Sequence, residues 1–151
     1  MMLRLIPPPV WAALLIAATY SLSLLLPFSA DLPEWRHKPT GAIFIAAALA
    51  VLFFSMGQFV FAGTQLLPNA PVNSKLVTHG IYAFTRNPMY LAMTLITLGA
   101  AVWVGQPLMY LAPVAMYLIA DRVFIPFEEA NMRRQFGDAF DAYCKRVRRW
   151  I

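Results

Sequence analysis

The chain has 151 residues, of which 60% are hydrophobic and 13% charged, and its mean hydropathy is +0.62. Soluble domains carry about 25% charged residues, so this composition excludes an ordinary soluble fold and indicates a protein embedded in a lipid bilayer. Most of the net charge of +5 lies in a C-terminal basic cluster beside apolar sequence, which predicts contact with anionic lipid headgroups and no nucleic-acid partner. The single cysteine, Cys144, excludes an internal disulfide and a cysteine metal motif.

Four apolar runs predict an all-α fold, a polytopic membrane bundle that forms one domain over residues 1–151. We expect its transmembrane helices at 10–26, 41–61, 88–104 and 107–127. The first run resembles a signal peptide, but Phe28 stands where a cleavage site has a small residue, so we expect an uncleaved helix. Pro39 and Gly41 open the second run, because proline is tolerated at the start of a helix and not inside it.

The basic residues predict the orientation of the bundle. The second loop contains Lys75 and Arg86, and further arginines and lysines follow the fourth run, whereas the first loop has only Arg36 and Lys38. The positive-inside rule then places both termini and the second loop on the cytoplasmic side. The turn at 104–107 is short, so the last two runs form an antiparallel hairpin. The hairpin brings Pro88 to the same end as Glu128 and Glu129.

The polar stretch "KLVTHGIYAFTRNPMY", residues 75–90, interrupts the apolar sequence. One interpretation is an interfacial loop with aromatic belt residues and positive-inside cations. The other is a ligand site. Asn87 and Pro88 form a turn-initiating pair that we expect to cap the third helix, so that unpaired backbone N–H groups and Arg86 converge where an anionic group could bind.

Asp121 and Arg122 lie near the end of the fourth run, where charge exposed to lipid is costly, so they either pair as an anchor or face the bundle. Helical spacing places Asp121, Ile125 and Glu128 on one face, and Arg122 with Glu129 on another.

Residues 128–147 predict an amphipathic helix whose apolar stripe lies on the membrane surface. Its first acids, Glu128 and Glu129, point about 100° apart, so at most one faces a given pocket. The alternative is that both acids complement the helix dipole.

The stretch 75–90, a hairpin, and then "EEANMRRQFGDAFDAYCKRV" together resemble the isoprenylcysteine carboxyl methyltransferase family over roughly the C-terminal half of the chain. "RNPMY", with the upstream Gly63, Thr64 and Pro68, is similar to the bacterial branch. The resemblance implies a methyltransferase of the bacterial inner membrane that binds S-adenosyl-L-methionine on the cytosolic face, between the hairpin and the tail helix. Its acceptor would be a lipophilic molecule or prenylated substrate, such as a prenylcysteine carboxylate.

The resemblance assigns cofactor binding to the second loop, the start of the third helix and the first tail acid. These residues are Lys75, Leu76, Val77, His79, Tyr82, Asn87, Pro88, Met89, Tyr90 and Glu128. The catalytic candidates are Arg86, Arg122 and Glu129. A carboxylate or thiolate acceptor needs no general base, whereas a neutral amine needs a proton acceptor, for which Glu129, Asp121 and His79 are the candidates.

The chain departs from the family pattern at two positions. Asn87 stands where many members have histidine. Phe124 stands where prenylcysteine methyltransferases have the arginine that holds the substrate carboxylate, and Arg122 is the nearest cation. Three alternatives therefore stay open. The first is a lipid amine or thiol methyltransferase. The second is an NADPH-dependent enzyme like the sterol reductases, since "YCKRVRRWI" resembles the tail of those enzymes, and the third is a non-catalytic membrane adaptor.

Overall fold

The computed structural model describes residues 6–26, 35–62 and 75–151, and in these ranges the chain forms helices and no strand. The α-helices are α1 (Pro8–Leu25), α2 (Lys38–Ala62), α3 (Pro88–Val104), α4 (Leu111–Ile119), α5 (Ile125–Phe136) and α6 (Asp138–Arg146). Short 3₁₀ turns cover Gly80–Ala83 and Pro107–Tyr110, and a π-helical segment, Ala120–Phe124, joins α4 to α5. Phe28, Gly63, Thr64 and Pro68 lie outside the described residues.

Three helical stretches are long and apolar enough to cross a membrane: Pro8–Leu25, Lys38–Gln58 and Pro107–Phe136. The fourth apolar helix, α3, has 17 residues and is slightly shorter. Large apolar side chains such as Leu25 and Phe53 are exposed on the outer surface of α1 and α2, as expected where a helix faces lipid. The prediction of an all-α membrane bundle is confirmed.

The helices place four chain segments at one end of the bundle. Near the start of α1, Ala12 packs in one cluster with Tyr90 at the start of α3 and Phe124 at the end of the π-helical segment. At the end of α2, the side chain of Gln58 fills the space beside Gly80 in the second loop. The second loop and the residues after α4 therefore lie together, as the hairpin predicts.

Helices α2 and α3 pack closely because each has a glycine at their crossing. A Cβ atom on Gly41 would lie 2.7 Å from the backbone nitrogen of Trp103 and 2.8 Å from the carbonyl oxygen of Gly99. A Cβ atom on Gly99 would lie 2.7 Å from a side-chain carbon of Ile45. Small residues of this kind let helix backbones approach in a membrane, and here they fix the position of α3.

The prediction of one tail helix over 128–147 is wrong in its bounds. The fourth span continues without interruption through the π-helical segment into α5. The helix ends before Gly137, which has a φ of +48° and separates α5 from α6. The apolar stripe of the tail packs inside the protein, where Phe140, Tyr143 and Val147 form a cluster with Leu76 and Met132. The apolar stripe of the tail therefore packs against the second loop instead of the membrane surface.

The π-helical segment also changes which residues share a face. A π-helical turn contains more residues than an α-helical turn. Two turns after Asp121, the residue on the same side is therefore Glu129, and both carboxylates contact Arg149. The prediction that Asp121 and Glu128 share one face of the helix is wrong for this reason.

Candidate functional site

A cavity of about 90 Å³ opens at the end of the bundle, between the second loop, the start of α3 and the tail. Small-molecule pockets measure roughly 300–1,000 Å³, so this cavity has room for only a part of such a molecule. Eleven residues line the cavity: Lys75, Leu76, Val77, Tyr82, Arg86, Asn87, Glu128, Glu129, Met132, Phe140 and Tyr143. The cavity therefore combines charged groups with an aromatic and aliphatic wall.

Glu128 is held at the cavity by a hydrogen bond from α3. The hydroxyl of Tyr90 donates to Oε1 of Glu128 at 2.5 Å. The Tyr90 ring is buried and stacks on Phe124, with ring centroids 6.0 Å apart and planes 27° apart. Among the described residues, no lysine or arginine forms an ion pair with Glu128. This carboxylate therefore has a fixed position and is free to meet a cationic or hydroxyl group.

Glu129 is buried and bound by two arginines. Arg86 Nη2 lies 3.1 Å from its Oε1, and Arg149 contacts both oxygens, with Nε at 3.2 Å and Nη2 at 2.8 Å. The hydrogen bonds to Glu129 raise the pKa of Arg149 against the opposing effect of burial, so the guanidinium stays charged. Both oxygens of this carboxylate are therefore engaged by charged donors.

Arg149 also bonds to Asp121. Its Nη1 donates to Oδ1 of Asp121 at 3.1 Å, and the indole N–H of Trp150 donates to the same oxygen at 3.0 Å. The ring of Trp150 packs against Tyr117, with centroids 4.8 Å apart. Arg149 and Trp150 thus hold the C-terminal segment against the fourth span.

One side of the cavity consists of aromatic rings. The hydroxyl of Tyr143 donates to the carbonyl oxygen of Tyr82 at 2.6 Å, which joins α6 to the second loop. Burial, together with the nearby Tyr143 and Glu128, raises the pKa of Tyr82, and burial raises the pKa of Tyr143 to about 12. Both phenols are therefore neutral at physiological pH, and both residues line the cavity.

The structure brings most of the predicted site residues to this cavity. Of the predicted cofactor residues, Lys75, Leu76, Val77, Tyr82, Asn87 and Glu128 line it, as do the catalytic candidates Arg86 and Glu129. Tyr90 does not line the cavity, but its hydroxyl donates a hydrogen bond to the lining residue Glu128. His79, Pro88 and Met89 are not among the lining residues. The expectation that at most one of Glu128 and Glu129 faces the pocket is wrong, because the two side chains diverge to Tyr90 and Arg86, and both line the cavity.

Arg122 lies apart from the cavity. Its side chain is 77% exposed and forms an ion pair with Asp121 at 3.4 Å. The prediction that Arg122 contacts the acceptor thus has no support in the position of this side chain.

Asn87 does not cap α3 with its side chain. Its amide nitrogen instead donates to the carbonyl oxygen of Arg149 at 2.9 Å. The prediction that Asn87 caps α3 is therefore wrong, because its side chain contacts the C-terminal segment.

Sequence reasoning missed five residues of the site. Met132, Phe140 and Tyr143 had a visible signal, the apolar stripe, which the prediction directed to the membrane. Arg149 and Trp150 gave no local signal, because the carboxylates that their side chains bind lie 20 to 29 residues earlier in the chain.

The fold defines an integral membrane protein, a helical bundle with a cavity at one end. Residues 37–139 match the family model described as phospholipid methyltransferase, and the chain belongs to this family. The family includes isoprenylcysteine methyltransferases, so the resemblance found in the sequence is confirmed. No solved structure matches the chain.

Curated relatives agree with this assignment. A probable protein-S-isoprenylcysteine O-methyltransferase of Oryza sativa subsp. indica is 36% identical over 76 residues, which are 48% of this chain and 38% of the rice protein. Protein-S-isoprenylcysteine O-methyltransferase B of Arabidopsis thaliana is 33% identical over 48% of this chain and 37% of its own. The chain thus matches less than two fifths of these plant proteins. An uncharacterized protein of Haemophilus influenzae is 35% identical over 42% of this chain and its own full length.

Proposed function

We propose that the protein transfers a methyl group from S-adenosyl-L-methionine to a lipophilic acceptor that enters from the bilayer. One observation carries the proposal. In a member of a methyltransferase family, the second-loop residues and Glu128, far apart in sequence, form the walls of a single cavity. Lys75, Tyr82 and Asn87 contribute from one side, and Glu128 from the other.

The residues present fit this methyl donor. Glu128 has no cationic partner among the described residues and suits the amino group or ribose hydroxyls of the donor. The rings of Tyr82, Phe140 and Tyr143 suit a flat base. When bound, S-adenosyl-L-methionine supplies a methyl group on a positively charged sulfur. The protein has to align the acceptor, exclude water and tolerate that charge, and no covalent nucleophile is required.

The first candidate acceptor is one that reacts as an anion, because the three proton acceptors expected from the sequence are either bound by Arg149 or outside the cavity lining. Glu129 and Asp121, two of the candidate proton acceptors, are both bound by Arg149. The third, His79, is exposed and outside the cavity lining. A carboxylate or thiolate needs no such base. We therefore place a prenylcysteine-like carboxylate first, in line with the names of the plant relatives.

A lipid amine is the second candidate acceptor, and the description of the matching family favours it. A neutral amine loses a proton on methylation. Glu128 is the cavity carboxylate left without a cation among the described residues, and it would be the proton acceptor in this case.

We further propose that the protein lies in a bacterial inner membrane with the cavity facing the cytoplasm. The excess of basic residues in the second loop and the tail supports this orientation. The soluble methyl donor would then reach the cavity from the cytosol.

The proposed function is tested by incubating the protein in lipid vesicles with methyl-labelled S-adenosyl-L-methionine and a total lipid and thiol extract, then identifying labelled products. We expect a labelled lipophilic product, lost in Glu128→Gln and kept in Asp138→Asn, which changes an exposed tail carboxylate away from the cavity. Absence of any labelled product, with binding of NADPH instead, would support the reductase alternative. Binding of neither would support the adaptor.

A further inference from the structure

The C-terminal strap, Arg148–Trp150, lies against the start of α3. The backbone N–H of Arg86 donates to the carbonyl oxygen of Arg148 at 3.1 Å. The carbonyl oxygen of Arg149 accepts from the amide of Asn87 at 2.9 Å and from the hydroxyl of Thr85 at 3.3 Å. The strap is therefore bonded to Arg86 and Asn87, which both line the cavity.

The side chain of Arg149 joins two carboxylates of the fourth span. It donates from Nε and Nη2 to Glu129 and from Nη1 to Asp121. A planar guanidinium with several donors in fixed directions makes this bridge, and the single ammonium of lysine cannot reproduce it. Arg149 thereby sets the orientation of the Glu129 carboxylate.

Glu129 in turn holds Arg86 in the cavity wall. Arg86 Nη2 lies 3.1 Å from Glu129 Oε1, and Nη1 contacts Sγ of Cys144. The third guanidinium nitrogen, Nε, is buried and has no hydrogen-bond partner among the described residues. A buried, charged donor without a partner is costly, and such groups in native proteins call for an explanation. An anionic oxygen of a bound molecule would satisfy it.

We propose that Arg149 is a positioning residue that holds Arg86, through Glu129, so that its Nε–H binds a carboxylate of a ligand in the cavity. The inference rests on the proposed function, because either of two molecules in that reaction supplies such a group. One is the methyl donor, which carries an amino acid carboxylate. The other is a prenylcysteine-like acceptor.

The test compares binding of carboxylate ligands with binding of matched neutral ligands, by calorimetry on purified full-length protein. The first pair is S-adenosylhomocysteine and its decarboxylated analogue. The second pair is an S-prenylcysteine and its carboxamide. The variants are Arg149→Ala and Arg149→Lys, and the lysine variant keeps the positive charge beside Asp121 and Glu129 should the alanine variant fail to fold. Arg148→Ala is the matched control, since its exposed side chain is removed while the carbonyl that meets Arg86 remains.

We expect the wild type to prefer the carboxylate form in one pair by about tenfold, the effect of one charge-assisted hydrogen bond. Arg149→Lys and Arg149→Ala should lose that preference, and Arg148→Ala should keep it. The pair that shows the preference identifies the source of the carboxylate. A general loss of stability would weaken both members of a pair equally and leave their ratio unchanged.

The inference is overturned if the wild type distinguishes neither pair, or if both Arg149 variants retain the wild-type ratio. Failure of the proposed function has a different signature. In that case S-adenosylhomocysteine and its analogue do not bind the wild type at all.

Discussion

The hydroxyl group of Tyr90 connects the start of α3 to the carboxylate of Glu128 in the cavity. Its hydrogen bond to Glu128 joins two residues 38 positions apart. The sequence motifs selected both residues, and the hairpin predicted that they lie at the same end. Their direct bond was not predictable, because it depends on the rotation of α5 after the π-helical segment.

Tyr90→Phe keeps the ring that stacks on Phe124 and removes only the donor to Glu128. We expect the affinity for S-adenosyl-L-methionine to fall by about tenfold, because the carboxylate loses a charge-assisted hydrogen bond and its fixed position. Calorimetry on detergent-purified protein measures this change. Tyr110→Phe is the control, since it removes a tyrosine hydrogen bond to Trp35 and leaves the cavity lining unchanged. Equal affinity in wild type and Tyr90→Phe would show that the bond does not serve the site.

Arg122→Ala separates the sequence prediction from the observed geometry. The sequence predicts that Arg122 contacts the acceptor, whereas its side chain is 77% exposed and pairs with Asp121. An exposed ion pair contributes little, so we expect turnover of the labelled acceptor and donor affinity to change by less than about fivefold. A much larger loss of turnover with unchanged donor binding would support the sequence prediction that Arg122 contacts the acceptor.

Among the helices, apolar runs and proline positions predicted the bounds of the first three apolar helices to within three residues, whereas the fourth helical stretch continues to Phe136, nine residues beyond its predicted end. Regular α-helical spacing then failed at Ala120–Phe124, because a π-helical segment has no simple hydrophobic pattern. The tail was predicted as amphipathic, and its apolar stripe exists. The pattern alone does not say whether such a stripe faces lipid or the protein, and here Phe140 and Tyr143 face the protein.

Gly41→Ala tests the packing that positions α3. The added methyl group would lie 2.7 Å from a backbone nitrogen of Trp103, so the helices have to separate, and we expect destabilisation of about 1–3 kcal/mol. Gly57→Ala is the control in the same helix, because a Cβ atom there meets nothing within 4 Å. Thermal unfolding in detergent measures both variants. Equal melting temperatures for the two variants would contradict a tight α2–α3 crossing.

At the scale of the whole molecule, the start of α1 and the C-terminal strap lie at the same end of the bundle, beside the cavity. This arrangement agrees with the even number of crossings expected from the four apolar runs. The strap itself was not predictable, because the side-chain partners of Arg149 and Trp150 are distant in sequence and only the folded bundle brings them together.

Reporter fusions at each end of the chain test the membrane topology. We expect both the N-terminal and the C-terminal reporter to be active on the cytoplasmic side, because the second loop and the tail carry the excess of basic residues. A fusion within the first loop, near Lys38, should report from the opposite side. Reporters at the two termini that indicate opposite sides would contradict the four-crossing bundle.

We propose that the cavity beside Glu128 binds the methyl donor. Calorimetric titration of S-adenosyl-L-methionine into the purified protein, wild type and Glu128→Gln, measures this binding. We expect the wild type to bind and the variant to bind about tenfold more weakly, because a neutral amide replaces the carboxylate that meets the donor. The same affinity in both proteins, or no binding to the wild type, would contradict the claim.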